Sequence, residues 1–387
     1  MTRFDQTAAL LLLMAGVAPA GDPGLHREGA FWVWTETGSQ PAPASSAIRI
    51  TASGNVKVTG AAEDRIVYTV TRRVRARDES EARRLLAISH IRVMLGGKMT
   101  AVRVDSAAGE AADLDIHVPR AAAEIVVNTQ DGAVDMSDLS GAVHTETGAG
   151  KVTMDRIRGS VTALTAGGDV VLGSVGGAVR CISGGGPISA RALGSEAFLQ
   201  TAGGDITVEQ VEGPVRCSTA AGGIRIERAG STVVADTMGG PVDIVSARGL
   251  VTIRNSGGPI AVGSAGGGAR CESAGGAIRL TQVAGGLRAS TAVGNIAAHL
   301  LAGQTFTDSF LTTGAGDITL WIPSNLQVTV RAQNETPGNA RRIVSDFAAI
   351  PVKSSGMAVI AEGSLNGGGP LVRLVSTGGT IYIRRDK

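Results

Sequence analysis

The five histidines and three cysteines are the residues of this chain best suited to bind a metal ion or attack a substrate. They are His26, His90, His117, His144 and His299, with Cys181, Cys217 and Cys271. Zinc ligands come in short, regular spacings, whereas these histidines lie far apart and none has a neighbouring cysteine. We therefore expect no metal ion, no cofactor and no nucleophile at these positions.

The carboxylates could serve the general acid and base chemistry with which long β-helix enzymes cleave polysaccharides. An acidic stretch is formed by Asp113, Asp115, Asp131, Asp135 and Asp138. No partner group can be placed beside these residues, and the turns are too short to build a cleft. We interpret the stretch as a solvated face and expect that the protein is not an enzyme.

Calcium-binding solenoids also use half-coils of nine residues, and each half-coil carries Gly and Asp at fixed positions. Here Ile206 and Val208 occupy those positions. Asp169, Asp205 and Asp317 follow turn glycines in only three coils, so we interpret them as turn hydrogen-bonding residues rather than as calcium ligands.

Glycine dominates the composition, with 55 of 387 residues, while aromatic residues make up only 3%. Glycine does not recur at every third position, which excludes collagen. A hydrophobic fraction of 43% against 18% charged residues excludes a disordered chain. The net charge of +2 provides no general attraction to nucleic acid. Many short strands joined by tight turns fit this composition.

An internal repeat of eighteen residues determines the architecture. Its marker glycines are Gly132, Gly150, Gly168, Gly186, Gly204, Gly222, Gly240, Gly258, Gly276 and Gly294. A Val or Ile stands two residues after each glycine, and apolar and polar residues then alternate, which is typical of a half-buried strand. A second strand of the same kind begins nine residues later, so each unit holds two strands and two turns.

One such unit cannot bury enough apolar surface to fold alone, so the units must stack. Stacking at about 4.8 Å per coil pairs every strand with its counterparts above and below. The sequence therefore predicts an all-β fold, a parallel two-sheet β-solenoid (β-helix) with 18-residue coils. We expect the marker glycines to serve both positive φ and close backbone approach.

A hydroxyl or amide side chain precedes one turn of every coil. These residues are Thr147, Thr165, Ser183, Thr201, Thr219, Thr237, Asn255, Ser273 and Thr291. We expect them to bond to the turn backbone and to their counterparts in adjacent coils.

The flanking regions have their own organisation. We expect a signal peptide at 1–20, a linker at 21–46, an irregular N-terminal β region at 47–128 with one short helix at 79–88, solenoid repeats at 129–330 and C-terminal capping strands at 331–387. Asp78 and Glu81 form a capping box at the start of the helix. Phe31 to Trp34 lie inside the linker and must pack on another element.

The first twenty residues have the features of an export signal. Arg3 precedes an apolar run from Ala8 to Ala18, and Ala18-Pro19-Ala20 fits a cleavage site. The run is too short to span a bilayer. We expect an exported protein, periplasmic, cell-surface or secreted, that does not span the membrane.

The chain resembles a group of bacterial exported β-strand-repeat proteins of unknown function that are called "putative adhesins". The resemblance rests on Ser53–Val58, on the repeated turn of the Ala202–Val208 type, and on the ending Leu365–Leu374 followed by Thr377–Ile383. It covers the chain from about residue 47 to its end. The resemblance implies adhesion or an envelope scaffold role, and it supplies no catalytic residues.

Two outward-facing sets of residues are candidate partner surfaces. One is an arginine column, which lies one residue before the inward cysteine column: Arg180, Arg216, Arg270 and Arg288. It could bind an anionic envelope polymer, or it could be a solvated face partly neutralised by Asp236 and Glu272. The other is an apolar patch of Leu164, Ile182 and Phe198, which could bind a partner or be covered by a terminal segment such as Phe31–Trp34.

These observations favour a non-catalytic, adhesin-like or cell-envelope scaffold protein whose partner is an envelope polymer, a glycan or a protein. The alternative is a carbohydrate-binding or carbohydrate-active β-helix protein, against which the scarcity of aromatic residues in the coils counts. Self-association through the solenoid ends is a third interpretation.

Overall fold

The structure is a computed structural model that describes residues 24–43, 46–87, 90–96, 99–106, 110–301, 306–335, 342–355 and 358–386. The expected signal peptide at 1–20 lies outside these residues.

The N-terminal region contains nine strands and a helix. They are β1 (His26–Glu28), β2 (Phe31–Pro41), β3 (Ala47–Ala52), β4 (Val56–Ala61), β5 (Arg65–Val74), α1 (Glu79–Leu86), β6 (Ile91–Gly96), β7 (Met99–Val104), β8 (Glu110–Pro119) and β9 (Glu124–Thr129).

The repeats form short strands of five or six residues. They are β10 (Val134–Leu139), β11 (Ala142–Thr147), β12 (Val152–Ile157), β13 (Val161–Thr165), β14 (Val170–Val175), β15 (Val179–Ser183), β16 (Ile188–Leu193), β17 (Ala197–Thr201), β18 (Ile206–Val211), β19 (Val215–Thr219), β20 (Ile224–Ala229), β21 (Val233–Thr237), β22 (Val242–Ala247), β23 (Val251–Asn255), β24 (Ile260–Ala265), β25 (Ala269–Ser273), β26 (Ile278–Val283), β27 (Leu287–Thr291), β28 (Ile296–Leu300), β29 (Ser309–Thr313) and β30 (Ile318–Pro323).

The C-terminal part adds β31 (Val328–Asn334), β32 (Arg342–Ser345), β33 (Val352–Ser355), β34 (Ala358–Leu365), β35 (Leu371–Ser376) and β36 (Thr380–Asp386).

The strands of the repeats form two parallel sheets. The even-numbered strands β10 to β30 lie in one sheet, here sheet A, and the odd-numbered strands β9 to β29 lie in the other, sheet B. Each residue lies opposite the residue one repeat further along the chain, as Val152 does with Val170 and Val161 with Val179. One strand of sheet B and the following strand of sheet A form a coil, and the inward side chains of the two sheets form one continuous core. The predicted two-sheet solenoid is confirmed.

The coils are not stacked in chain order at the N-terminal end. Strand β3 lies between β7 and β9 in sheet B, and β4 lies between β8 and β10 in sheet A. The first coil of the chain, β3–β4, is therefore inserted between the β7–β8 coil and the β9–β10 coil.

The C-terminal end shows the same arrangement. Strand β35 lies between β29 and β31, and β36 lies between β30 and β32, all of them parallel. The last coil of the chain thus occupies the second-to-last place in the stack. The stack of coils extends beyond residues 129–330, the range predicted for the solenoid repeats. It includes strands from both flanking regions.

Antiparallel strands close the stack at both ends. Strand β5 lies antiparallel on β8 and β2 on β5, while β6 lies antiparallel on β7. At the other end β34 lies antiparallel on β31 and β33 on β34. These strand pairs provide hydrogen-bond partners for backbone N–H and C=O groups that would otherwise be unpaired at the ends of the solenoid.

Strand β2 occupies part of the stretch that the sequence marked as a linker. It pairs with β5 from Trp32 opposite Val74 to Pro41 opposite Arg65. The linker interpretation was wrong for residues 31–41, because this long ladder and the packing of the tryptophan side chains on α1 outweigh the local Gly and Pro signals.

Helix α1 begins with Asp78 as its N-cap, but Glu81 bonds to the N–H of Arg77 and not, as a full capping box requires, to that of Asp78. The Asp78 carboxylate accepts a hydrogen bond from the Glu81 N–H at 2.8 Å, and the Glu81 carboxylate accepts one from the Arg77 N–H at 2.7 Å. Ala82 and Leu86 are buried and hold the helix against the N-terminal strands.

The predicted hydroxyl and amide residues form a ladder along the inside of one turn. The Thr147 hydroxyl donates to the Gly132 carbonyl of the preceding coil at 2.9 Å and accepts from the Gly150 N–H of its own turn at 3.3 Å. Ladder residues thus bond to turn backbone in two coils rather than to one another, as the donor and acceptor capacity of a hydroxyl allows.

The marker glycines are required by close approach and not by positive φ. None of the ten has a positive φ. A Cβ on Gly150 would overlap the carbonyl oxygen of Gly132, and a Cβ on Gly222 would overlap that of Gly204. The expectation of positive φ at these corners was wrong, since the turn geometry itself is accessible to any residue and only the stacking of one turn on the next excludes a side chain.

Candidate functional site

The outer face of sheet B carries two columns of side chains that run along the solenoid axis. Column 1 consists of Thr162, Arg180, Phe198, Arg216, Val234, Thr252, Arg270, Arg288 and Phe310. Column 2 consists of Leu164, Ile182, Gln200, Ser218, Asp236, Arg254, Glu272 and Ser290. The four arginines of the predicted column therefore share one face, at the predicted register.

Three of these arginines contact other side chains of the protein, and Arg288, which lies over Phe310, is one of them. The Arg180 guanidinium lies over the Phe198 ring, 4.7 Å from its centroid. Arg216 forms an ion pair with Asp236 at 3.0 Å. The contacts of Arg180 and Arg216 hold both side chains against the sheet and reduce the charge that they offer to a partner.

Arg254 of column 2 takes up the remaining acidic groups. It lies 3.5 Å from Asp236 and 3.8 Å from Glu272. The expected neutralisation by Asp236 and Glu272 thus reaches Arg216 and Arg254 but does not reach Arg270 or Arg288. The column is thus only partly neutralised by these two carboxylates, and Arg270 and Arg288 are exposed.

Column 1 continues past the repeats onto the inserted last coil. Phe310 of β29 lies opposite Arg373 of β35, and Arg373 lies opposite Arg331 of β31. Arg270, Arg288, Phe310, Arg373 and Arg331 are therefore neighbours on five successive strands, and the four arginines are exposed. We call these four arginines, with Phe310 among them, the arginine stripe.

No carboxylate in the described part of the chain lies within 4.0 Å of a guanidinium nitrogen of the arginine stripe. Arg288 lies over the Phe310 ring at 4.9 Å from the centroid. Asp308 lines an open groove together with Arg270 and Arg288, but its Oδ1 accepts a hydrogen bond from the Leu371 N–H at 2.8 Å. The stripe thus keeps most of its guanidinium N–H groups available to an external acceptor.

Sequence reasoning missed Arg331 and Arg373. Both lie outside the eighteen-residue repeat, and only the insertion of β35 between β29 and β31 brings them into column 1. The outward position of Arg373 in Leu371–Ser376 could have been read from strand alternation, but its neighbours could not.

The apolar patch is present and half-buried. Leu164 and Ile182 are neighbours in column 2, and Phe198 lies on the next strand in column 1. The Phe31–Trp34 segment packs on β5 and α1 and does not cover this patch.

A shallow groove follows column 2 for much of its length. It runs from Ile182 to Ser290 and is bordered by turn residues that include Ala202 and Met238, the latter with 62% of its surface exposed. Because the groove crosses the strands, its long axis is the solenoid axis.

The outer face of sheet A differs because its charges pair with one another. Arg191 lies 3.3 Å from Asp155, and Arg225 pairs with Asp243. The hydrogen bond from Arg156 lowers the pKa of Asp138. Several charges on the outer face of sheet A are therefore compensated within the protein.

The acidic stretch near the first repeats is engaged in the same way. Asp113 pairs with Arg73, and Asp115 lies 3.5 Å from Lys57. No three His, Cys, Asp or Glu side chains come together as metal ligands would within the described ranges. The geometry offers no acid and base pair for hydrolysis at this stretch.

An aromatic cluster lies near the C-terminal end of sheet A. The rings of His299 and Trp321 stack with centroids 4.2 Å apart and an interplanar angle of 5°. His299 Nδ1 lies 3.7 Å from an Asp386 carboxylate oxygen. The ring faces that meet in this stack are covered, so the contact serves strand packing.

The helix that the structure describes is too short and too polar to cross a membrane, so none of the described residues forms a membrane-spanning helix.

Comparison with known proteins finds bacterial solved structures of low sequence and structural similarity. The sequence matches no protein-family model and no curated protein. A "putative cell adhesion protein" from Clostridium sporogenes aligns over 91% of this chain and 100% of its own length, with 8% identity and a TM-score of 0.18. A "putative adhesin" from Bacteroides fragilis aligns over 91% and 97%, with 11% identity and a TM-score of 0.22.

A "putative lipid binding protein" from Parabacteroides distasonis aligns over 74% of this chain and 96% of its own length, with 14% identity and a TM-score of 0.22. With identities this low, the function of this chain has to be argued from its own surface.

Proposed function

We propose that this protein is an exported, adhesin-like interaction protein of the cell envelope that binds its partner without catalysis. The observation that carries the proposal is the outer face of sheet B, where a groove and an arginine-rich column both run along the solenoid axis. Extended surfaces of this kind are how solenoid proteins bind long partners.

The shape of the face favours a linear partner over a small molecule. Each column presents one side chain per coil, so a chain-like ligand can make a contact at regular intervals along the solenoid axis. The groove is shallow and open, whereas small-molecule sites are concave and bury most of their ligand.

A carbohydrate-active β-helix is the alternative from another class. That function needs a carboxylic acid and a carboxylate facing one another across a substrate. Asp113, Asp115 and Asp138 are instead paired with basic residues on the outside of the fold. Binding of a carbohydrate without cleavage requires no such pair and is compatible with the adhesin-like role.

The experiment is co-sedimentation of the full chain, purified after export, with cell-envelope fractions of Gram-negative and Gram-positive bacteria. We expect the protein to sediment with an envelope fraction in about 50 mM salt, because charges are screened little at such a low salt concentration. Absence from every envelope pellet would contradict the proposed function. Release of reducing sugar from such fractions would favour the carbohydrate-active alternative.

A further inference from the structure

We propose that the arginine stripe binds a single strand of an acidic polysaccharide lying along the solenoid axis, with about one acidic sugar per coil. The proposal rests on the proposed function and names the ligand class and the site. The site consists of Arg270, Arg288, Arg373 and Arg331, with Phe310 among them.

The arginines on the outer face of sheet B differ in whether they have a carboxylate partner. Arg216 and Arg254 each form an ion pair within the protein. The four arginines of the stripe have no carboxylate within 4.0 Å in the described part of the chain. Like charges on neighbouring strands repel one another, so an external anion that lies between them stabilises the arrangement.

The side chains of the stripe complement the chemistry of an acidic sugar. A guanidinium offers a planar fork of N–H donors that matches a carboxylate with two parallel hydrogen bonds. Phe310 is half-buried at the middle of the stripe, and the part of its ring that the Arg288 guanidinium leaves uncovered adds an apolar contact beside the arginines. A partner with both acidic groups and apolar ring faces is an acidic polysaccharide.

The spacing of the strands also matches the spacing of sugars in a chain. Neighbouring strands are about 4.8 Å apart, so the stripe extends about 19 Å from Arg270 to Arg331. One pyranose unit in an extended glycan advances the chain by a distance close to one strand spacing. The phosphorus atoms of polyphosphate follow one another at a much shorter interval, so their charges do not match the coils.

The ends of the stripe carry acidic residues that limit the site. Glu362 of β34 lies opposite Arg331, beyond the last arginine. At the other end Glu272 lies in column 2 beside Arg270, on the same strand. These carboxylates repel an acidic chain, so we expect an oligomer of about five sugars to fill the site.

The insertion of the last coil completes this site. Arg373 lies on β35, between Phe310 on β29 and Arg331 on β31. Without β35 the stripe would end at Phe310. Arg331 would then not continue the line that Arg270 and Arg288 form.

The experiment is titration calorimetry of the full chain with oligogalacturonates of increasing length, with neutral dextran and polyphosphate as comparison ligands. We expect affinity to rise with length up to about five sugars and then to level off for each site. Affinity should fall steeply between 50 and 200 mM salt, as it does for about four charge contacts.

The decisive variant is Arg331→Gln with Arg373→Gln, which we expect to weaken binding about tenfold or more. The matched control is Arg228→Gln with Arg279→Gln on the outer face of sheet A. It also removes two charges, and we expect it to retain binding within about twofold. Both variants should melt within about two degrees of the parent, since the substituted side chains are exposed.

The outcomes separate the two proposals. If the full chain sediments with envelopes but the Arg331 and Arg373 variant binds oligogalacturonate like the parent, the proposed site is wrong and the proposed function stands. Equal or tighter arginine-dependent binding of polyphosphate would overturn the polysaccharide class. Failure of the parent protein to bind any envelope fraction would overturn the proposed function itself.

Discussion

The Ser376 hydroxyl donates a hydrogen bond to the Gly316 carbonyl at 3.1 Å, across 60 residues of chain. Its counterpart Thr165 makes the same bond to Gly150, only 15 residues earlier. Asn334 then donates to the Gly379 carbonyl at 2.6 Å. The polar ladder therefore passes from the last repeat into the inserted coil and only afterwards to β31, which shows that the last coil of the chain is an integral layer of the core.

Removing the last coil should destabilise the whole molecule. Val372, Leu374, Ile381 and Ile383 are fully buried, and burial of each such side chain contributes about 1.5–3 kcal/mol. We expect a chain that ends at Gly369 to lose cooperative unfolding or to melt far below the parent. The measurement is thermal unfolding followed by circular dichroism. As a control, removal of the exposed strand His26–Glu28 should change the melting temperature little.

Much of the repeat region could be predicted from the sequence because each residue there has the same neighbours in every coil. The register of Arg180, Phe198 and Arg216 follows directly from the eighteen-residue period. The period carries no information about which coil lies beyond the last repeat, so the neighbours of Arg331 and Arg373 could not be predicted. The choice of ion-pair partners could not be predicted either, because Asp236 lies close to both Arg216 and Arg254.

Two adjacent glycines in one turn should respond differently to the same substitution. A Cβ on Gly186 would overlap the Gly168 carbonyl of the preceding coil, whereas a Cβ on Gly185 would meet nothing within 4 Å. We expect Gly186→Ala to cost about 1–3 kcal/mol or more of unfolding free energy. Gly185→Ala should be neutral or stabilising by up to about 1 kcal/mol. Equal effects in denaturant titrations would show that the turns do not stack as described.

The polar ladder can be tested at Thr219. Its hydroxyl donates to the Gly204 carbonyl at 3.0 Å and accepts from the Gly222 N–H at 3.2 Å. Thr219→Val keeps the shape and leaves both backbone groups without this partner, so we expect a loss of about 1–3 kcal/mol. The outward Thr252→Val on β23 is the matched control and should be near neutral. A neutral Thr219→Val would mean that the ladder adds nothing to stability.

Chelation should leave the fold unchanged. Asp205 accepts a hydrogen bond from the Gly223 N–H at 2.7 Å, and Asp317 accepts one from the Thr380 N–H at 2.7 Å. These turn aspartates thus hold backbone of the next coil, as their position after the turn glycines predicts. Thermal melts with and without excess EDTA should coincide within about one degree. A larger drop with EDTA, restored by added calcium, would contradict this interpretation of the turns.

The three cysteines should be free, buried and unreactive in the folded protein. Cys181, Cys217 and Cys271 lie in the inward column of sheet B, and burial raises the pKa of each thiol to about 12 from an ordinary value of 9.0. Cys181 and Cys217 are two strands apart, about 10 Å, which exceeds the roughly 7 Å Cα limit for a disulfide. Thiol titration should therefore find three groups per chain in denaturant and none in the native state at pH 8.

The same burial makes stability depend on pH. The folded state disfavours the thiolate. The contribution of the buried thiol to the free energy of unfolding is therefore complete below the ordinary thiol pKa and is lost as the pH rises from about 9 towards 12. We expect the melting temperature of the parent to fall over this range. Cys217→Ala should melt lower at pH 8, because it leaves a small cavity, but should lose less between pH 9 and 11. An equal loss in parent and variant would show that Cys217 stays protonated, or stays exposed, in both the folded and the unfolded state. In the thiol titration, a disulfide among the three cysteines would contradict the strand register.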